Sequence, residues 1–392
     1  MATNEWPCMT REVYITRSAA VLPGAPVPNE AMEGLLGQVG ERPSRARQVI
    51  LRSNGIRSRH YAIDPQTGQP THTNAQLTAE AVRALGPLGT VDCLAVGTST
   101  PDQLAPNHGV MVHGELGWPW LEVASLAGIC LSGTVALKHA WMAVRCGEAE
   151  RAVVAASELI SPNMRAQHFR PEDAGQVEAL ERRPELAFEQ DFLRWMLSDG
   201  AAALLLGPQP GAGLSLRIDW IRLSSAAQEL PACMYLGARR EPDGQLTPWQ
   251  FLPPSQWKSD ALFTVKQDVR LLNEQIQRAT LVEPLQRLRE RLPLQAKAVD
   301  WFLPHMSSMY FTRSLEEGLA QAGLPIPRER WFTNLATRGN TGSASPFIML
   351  DELLRSGRVD PGHRLLMFVP ESGRFSSGFV HLTAVAGTGD GA

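Results

Sequence analysis

The sequence predicts an α/β fold in which helices cover the faces of a buried sheet. Three observations lead there. Short apolar runs rich in Val, Ala and Leu recur at residues 91–98, 152–157, 201–206, 301–303 and 365–369, as strands buried on both faces require. Segments of helical character lie between them, over 74–85, 134–146, 265–292 and 345–356, and such alternation is the mark of layered α/β architecture. The chain has 392 residues, 44% hydrophobic and 20% charged, an ordinary globular composition with enough length for a large core.

In chain order, the helix over 74–85 leads into the strand at 91–98. A second apolar stretch, 121–127, runs into Gly128-Ile-Cys-Leu-Ser-Gly133 and then the helix over 134–146. After the strands at 152–157 and 201–206, Gly207-Pro-Gln-Pro-Gly-Ala-Gly213 reads as a linker. It suggests two halves, 1–210 and 211–392. Each half carries a helix followed by a strand, 134–146 then 152–157 and 345–356 then 365–369. In 265–292, Val265, Val269, Leu272, Ile276, Leu281, Leu285, Leu288 and Leu292 form one apolar face. Two polar, Pro-containing segments, 161–189 and 230–258, resist regular assignment, and loops of that length in a compact domain suit lids or covers.

Composition removes several classes of function. With 37 basic and 40 acidic residues the net charge is -3, so no global basic footprint points to nucleic acid. Five cysteines without a CxxC pair speak against a disulfide framework and a zinc site, and suit a reducing, cytoplasmic compartment. The N-terminal residues lack a signal-peptide pattern, and no apolar run reaches the roughly 18 residues of a membrane span. Neither metal nor cofactor is expected.

The chemistry points to Cys130. A cysteine ahead of a helix feels the positive end of the helix dipole, which is expected to lower its pKa and favour the thiolate. A lone cysteine is most often a packing residue, and Cys93, Cys146 and Cys233 are read as such. Cys130 differs in having distant partners in Pro304-His305 and Gly339-Asn340-Thr-Gly-Ser343.

With these residues the chain resembles the thiolase-fold condensing enzymes of the ketoacyl-acyl-carrier-protein synthase III type. The likeness runs over roughly 10–385 and is carried by residues 54–60, 127–133, 198–202, 304–305, 339–345 and 372–378. It implies a five-layered αβαβα sandwich of two similar halves, a homodimer, and acyl thioesters on acyl carrier protein or coenzyme A as substrates. Cys130 would take the acyl group, with the N–H groups of Cys130 and Gly373 as its oxyanion hole. His305 and Asn340 would stabilise the enolate of a second substrate, giving a new carbon–carbon bond. Leu104 and Ala105 fall where the family lines a partner's acyl tunnel.

Departures from the simple fatty-acid initiators matter. The glycine triplet near the C-terminus reads Ser372-Gly373-Arg374, adding a cation. Glu158 ends a strand 28 residues after the nucleophile, where a carboxylate could act as a base. Glu158 and Arg374 are therefore candidates for a second, ring-closing step. Ser53 stands where the initiators carry an arginine, and Met306-Ser-Ser308 follows Pro-His, which favours carrier-bound substrates. Pro370-Glu-Ser-Gly-Arg-Phe375 resembles the ketosynthase/cyclases of dialkylresorcinol and stilbene biosynthesis. The competing expectations are a fatty-acid initiation synthase, an acyltransferase forming an ester or amide, and a non-catalytic partner subunit.

Overall fold

The computed structural model describes residues 10–169, apart from 42 and 45, and residues 191–389. The first half contributes β1 (Tyr14–Val21), α1 (Asn74–Arg83), β2 (Cys93–Thr98), α2 (His108–Leu116), β3 (Glu122–Ala127), α3 (Ser132–Cys146), β4 (Ala152–Glu158) and β5 (Gly200–Gly207). The second contributes β6 (Ser215–Ser225), β7 (Met234–Tyr235), β8 (Lys266–Gln267), α4 (Val269–Gln277), α5 (Glu283–Arg289), β9 (Trp301–Pro304), α6 (Thr312–Gln321), α7 (Ser345–Arg355), β10 (Arg364–Glu371) and β11 (Ser376–Val385).

Nine of these strands join in the order β9-β10-β11-β6-β1-β5-β4-β2-β3. Strands β1 and β6 join through two residue pairs, Tyr14 with Arg217 and Ile15 with Leu216. Strand alternation sets the layers. Along β4, Ala152, Val154 and Ala156 face one apolar cluster, and Val153 and Ala155 face another. Along β10, Leu365 and Met367 join the first of these, while Leu366 and Phe368 face a third. The shared cluster holds Ala136, Leu137, Ala140 and Val144 of α3 and Phe347, Ile348, Leu350 and Leu353 of α7. Thus α3 and α7 lie between two sheet sections. On the outer faces lie α1 and α2 and, at the other end, α5 and α6. The expected five layers are present.

Local chemistry accounts for the helix boundaries. Thr73 caps α1 in a reciprocal box, accepting from the Gln76 N–H while its own N–H donates to Gln76 Oε1. The single helix expected over 265–292 is interrupted. Lys266 and Gln267 pair as β8 with β7, and the Asp268 side chain caps α4 through the Leu271 N–H at 2.9 Å. Between α4 and α5 the backbone widens into a π-helical turn, Arg278–Val282. Pro284, in the first turn of α5, has no N–H to return to the preceding turn. Thr280 Oγ1 meanwhile takes the Ile276 carbonyl. A local π turn satisfies what remains.

Close approach in the middle layers requires glycine. A Cβ on Gly133 would lie 2.7 Å from both Ala156 Cβ and the Ser343 carbonyl oxygen. Gly133→Ala is therefore expected to cost about 3 kcal/mol through overpacking. Gly114→Ala on α2, where nothing lies within 4 Å, should instead stabilise by about 0.5–1 kcal/mol. Urea unfolding of both variants measures the contrast.

Candidate active site

Cys130 lies in the turn that joins β3 to α3, at the C-terminal edge of a parallel strand pair, where open α/β sheets present functional groups. It is half-buried. Helix α3 has no side-chain cap of its own. Instead, Glu371 Oε2, from the end of β10, accepts the N–H of Ile129 at 2.9 Å and of Leu131 at 3.1 Å. These are the two residues that flank the nucleophile.

His305 follows β9 and Asn340 precedes the turn leading into α7. The His305 N–H donates to the Phe368 carbonyl at 2.8 Å, continuing the β9–β10 pairing. Its Nδ1 is buried and has no partner among the described residues, which leaves Nε2 to meet the cavity. Asn340 is held on both sides of its backbone, by Met196 and Ser198 at 2.9 Å each. Its Oδ1 accepts the Gly342 N–H at 3.0 Å. That bond orients the amide and leaves its NH₂ without a partner among the described residues.

Cys130, His305 and Asn340 line a single cavity of about 250 Å³. Glu158 lines it too, fully engaged as an acceptor from the Ser99 N–H at 3.1 Å, Ser99 Oγ at 2.6 Å, Thr100 Oγ1 at 2.9 Å and the Ser343 N–H at 3.1 Å. Much of the remaining wall is apolar, with Leu272, Ile276 and Leu281 from the α4 region, Leu315 from α6, and Ile160 and Phe368. Segment 230–258 contributes Met234, Tyr235 and Leu236, and neighbouring Val265 and Gln267 complete that wall. The start of this segment therefore covers one side of the site. Residues 170–190, most of the other long segment, lie outside the described residues.

Other residues singled out in the sequence lie outside this cavity. Arg374 is exposed, does not line the cavity, and donates to the Leu230 carbonyl at 2.9 Å. Its neighbour Ser372 lines the cavity, but Gly373 does not. The Gly373 carbonyl accepts the Cys233 and Met234 N–H groups at 2.8 and 3.2 Å. The turn therefore anchors the cover. Leu104, 79% exposed, and Ala105, also exposed, are absent from the cavity of their own chain. Cys93 and Cys233 are buried as packing residues, whereas Cys146 is exposed at the end of α3. The role of Glu371 escaped the sequence reading, although a charge at the end of an otherwise apolar strand was its signal.

Residues 290–382 match the family described as 3-oxoacyl-[acyl-carrier-protein (ACP)] synthase III C terminal. The beta-ketoacyl-[acyl-carrier-protein] synthase III of Xanthomonas oryzae pv. oryzae (strain MAFF 311018) is 24% identical over 365 residues, covering 92% of this chain and 95% of that one. The chain is similar in sequence to such synthases over nearly its whole length. Among solved structures, the 3-oxoacyl-(acyl carrier protein) synthase III of Pseudomonas aeruginosa PAO1 superposes with TM-score 0.70 at 18% identity, covering 96% of this chain and 100% of that one. AbyA1, a tetronic acid condensing enzyme, gives 0.69 at 21%, covering 95% and 99%. OleA of Xanthomonas campestris, with bound lauric acid and lauroyl-CoA, gives 0.70 at 19%, covering 95% and 99%. The thiolase fold is common to all.

Electrostatics in the site reverse one expectation. Burial pushes the Cys130 thiol above the ordinary cysteine range, and the nearby Glu371 and Glu158 carboxylates push it further. Together they act against the lowering expected at a helix start and favour the thiol over the thiolate. Burial alone lowers His305 to about 4, which keeps the imidazole neutral and able to donate one N–H. Glu158 is raised by burial, with hydrogen bonds from Ser99 and Ser343 acting against the rise.

The neutral histidines carry a linkage prediction. His108, likewise lowered to about 4 chiefly by burial, bonds to Thr78 and Ser157 at 3.2 Å. Both folded values lie below the unfolded value of about 6.5, so the unfolded chain binds more protons between those pH values. Stability contributed by either group is complete above about pH 6.5 and is lost as pH falls toward 4. Each histidine should cost on the order of 3 kcal/mol by pH 4, seen in urea unfolding followed from pH 7 to pH 4.

Proposed function

We propose that the chain is an acyl-thioester condensing enzyme working through an acyl-Cys130 intermediate. The observation that carries this reading is one cavity lined by a thiol, a neutral imidazole and an oriented carboxamide from three distant segments. Cys130 attacks the carbonyl of the first acyl thioester, and the carrier thiol leaves with the proton. The second substrate forms an enolate by losing carbon dioxide, or an α-proton that finally returns to the released Cys130 sulfur, and the enolate oxygen receives hydrogen bonds from His305 Nε2 and the Asn340 NH₂. Its α-carbon attacks the acyl-Cys130 carbonyl, and the cysteine thiolate is released. The apolar wall suits substrates with hydrocarbon chains, delivered on acyl carrier protein or coenzyme A. The finer reading is specialised metabolism in the cytoplasm, joining a β-ketoacyl thioester to a second acyl thioester and closing a cyclohexanedione of the dialkylresorcinol-precursor type. Ring closure falls to Glu158, since Arg374 is committed to the cover. The two halves, 1–210 and 211–392, would divide the work, one supplying the nucleophile and the other the enolate-binding pair.

The test is incubation with a panel of acyl thioesters followed by a β-ketoacyl-carrier partner, with mass spectrometry of protein and products. A carbon–carbon product is expected. An ester or amide would replace this reading with simple acyl transfer, and a linear product unchanged in Glu158→Gln would remove the cyclase.

A homodimer is part of the proposal. Strand β3 ends the nine-strand order, and an unpaired edge invites strand addition. Leu104, Val110 and Trp120 expose apolar side chains, with Trp120 wholly accessible, so Leu104 and Ala105 would face a second copy. Light scattering should give a dimer for wild type and a monomer for the Leu104→Glu, Trp120→Glu double variant. A monomeric wild type would remove the claim.

A further inference from the structure

The Cys130 turn and the start of α3 raise a question of charge. Helix α3 runs for 15 residues with no side-chain cap at Leu131, so its N-terminus offers partial positive charge and orphan N–H groups. Two of the peptide N–H groups around that end, of Ile129 and Leu131, go to a single oxygen, Glu371 Oε2. The other carboxylate oxygen would lie 3.4 Å from a Cβ placed on Gly373. Glu371 does not line the cavity; it stands behind the turn whose front presents Cys130.

We propose that Glu371 is a positioning residue that grips the two peptide N–H groups flanking Cys130 and, in place of the cysteine sulfur, supplies the anion at the positive end of α3. The two functions are separable. The grip needs one acceptor oxygen, which a glutamine also has. The charge needs a carboxylate. While the charge is present it opposes a second anion on the neighbouring sulfur, in the same direction as burial. The thiolate is the form that is alkylated and oxidised, so the Glu371 charge holds a half-buried nucleophile toward its less reactive form. This assignment deepens the proposed function and rests on Cys130 being the acylated residue.

The experiment follows iodoacetamide labelling of Cys130 by peptide mass mapping across pH, with Cys130→Ser as the blank, in wild type, Glu371→Gln and Glu371→Ala. Acyl loading is measured in parallel. Labelling does not depend on the condensing reaction, so failure of that reading leaves this test intact. Glu371→Gln should move the midpoint of the labelling profile about one pH unit downward, making labelling roughly tenfold faster below the midpoint, with acyl loading not lost, since the flanking N–H groups keep an acceptor. Glu371→Ala should also move the midpoint downward and lose at least tenfold in acyl loading, because the flanking N–H groups have lost their acceptor. A glutamine variant with the wild-type labelling profile overturns the charge role. An alanine variant that loads at the wild-type rate overturns the grip. Should the alanine variant not fold, the labelling profile of the glutamine variant still decides the charge role, and its acyl loading decides the grip: a loss of tenfold or more there overturns it.

Discussion

Cys130→Ala is expected to abolish acyl loading and reduce condensation by roughly 10⁴-fold or more, since removal of a covalent nucleophile leaves only binding and oxyanion stabilisation. The fold should survive. The side chain is half-buried, and the N–H groups on either side of it are held by Glu371 rather than by the sulfur. Unfolding free energy should change by about 1 kcal/mol or less. Intact-protein mass spectrometry with an acyl thioester separates the outcomes, a mass increase confined to wild type being the expected one. Acylation persisting in the variant would assign the nucleophile elsewhere, with Cys93 and Cys233 disfavoured because both are buried and neither lines the cavity.

Asn340→Asp is expected to separate the two halves of the reaction. An aspartate keeps an oxygen for the Gly342 N–H, so the turn before α7 retains its bond. It replaces the free NH₂ with an acceptor facing the developing enolate. Acyl loading should stay within a few-fold of wild type, while carbon–carbon bond formation falls about 10³-fold, or ~4 kcal/mol, as for loss of an oxyanion donor. His305→Ala should behave likewise. Rapid-quench measurement of loading and product formation distinguishes this from a general loss. Equal losses in both steps would mean that Asn340 shapes the nucleophile as well.

Much of this was legible in the sequence, for reasons that differ by element. Strands such as 152–157 are buried on both faces, so their apolar runs announce them directly. Cys130, His305 and Asn340 were visible because each sits at a strand end or helix start with distinctive neighbours. Strand β6 was missed because its outer end, Arg222 to Ser225, is polar and partly solvated. The helix over 265–292 was read as continuous because periodicity is blind to a hairpin partner thirty residues earlier, and β8 exists only through β7. The thiol's raised pKa was unreadable for the same reason. Proximity to a helix start is local information, whereas Glu371 reaches the turn from 242 positions away in the chain. Arg374 was misplaced because a cation next to a glycine-rich turn looks like a ligand for substrate until the Leu230 carbonyl is seen to hold it.

The anchoring of the cover has a consequence for how such a protein diversifies. The cover is fastened at its first residues, where Leu230, Cys233 and Met234 meet the turn at Gly373 and Arg374, and near its last, where Gln267 meets Ser372 at 3.2 Å. Its own small sheet and aromatic cluster of Trp249, Trp257 and Phe263 hold the part between. The stretch from 236 to 264 is therefore an exchangeable cassette. Drift there can reshape the apolar cavity wall through Leu236 without disturbing the close packing of α3 and α7. Selectivity and chemistry in this molecule can evolve at different rates, because they are written in different layers.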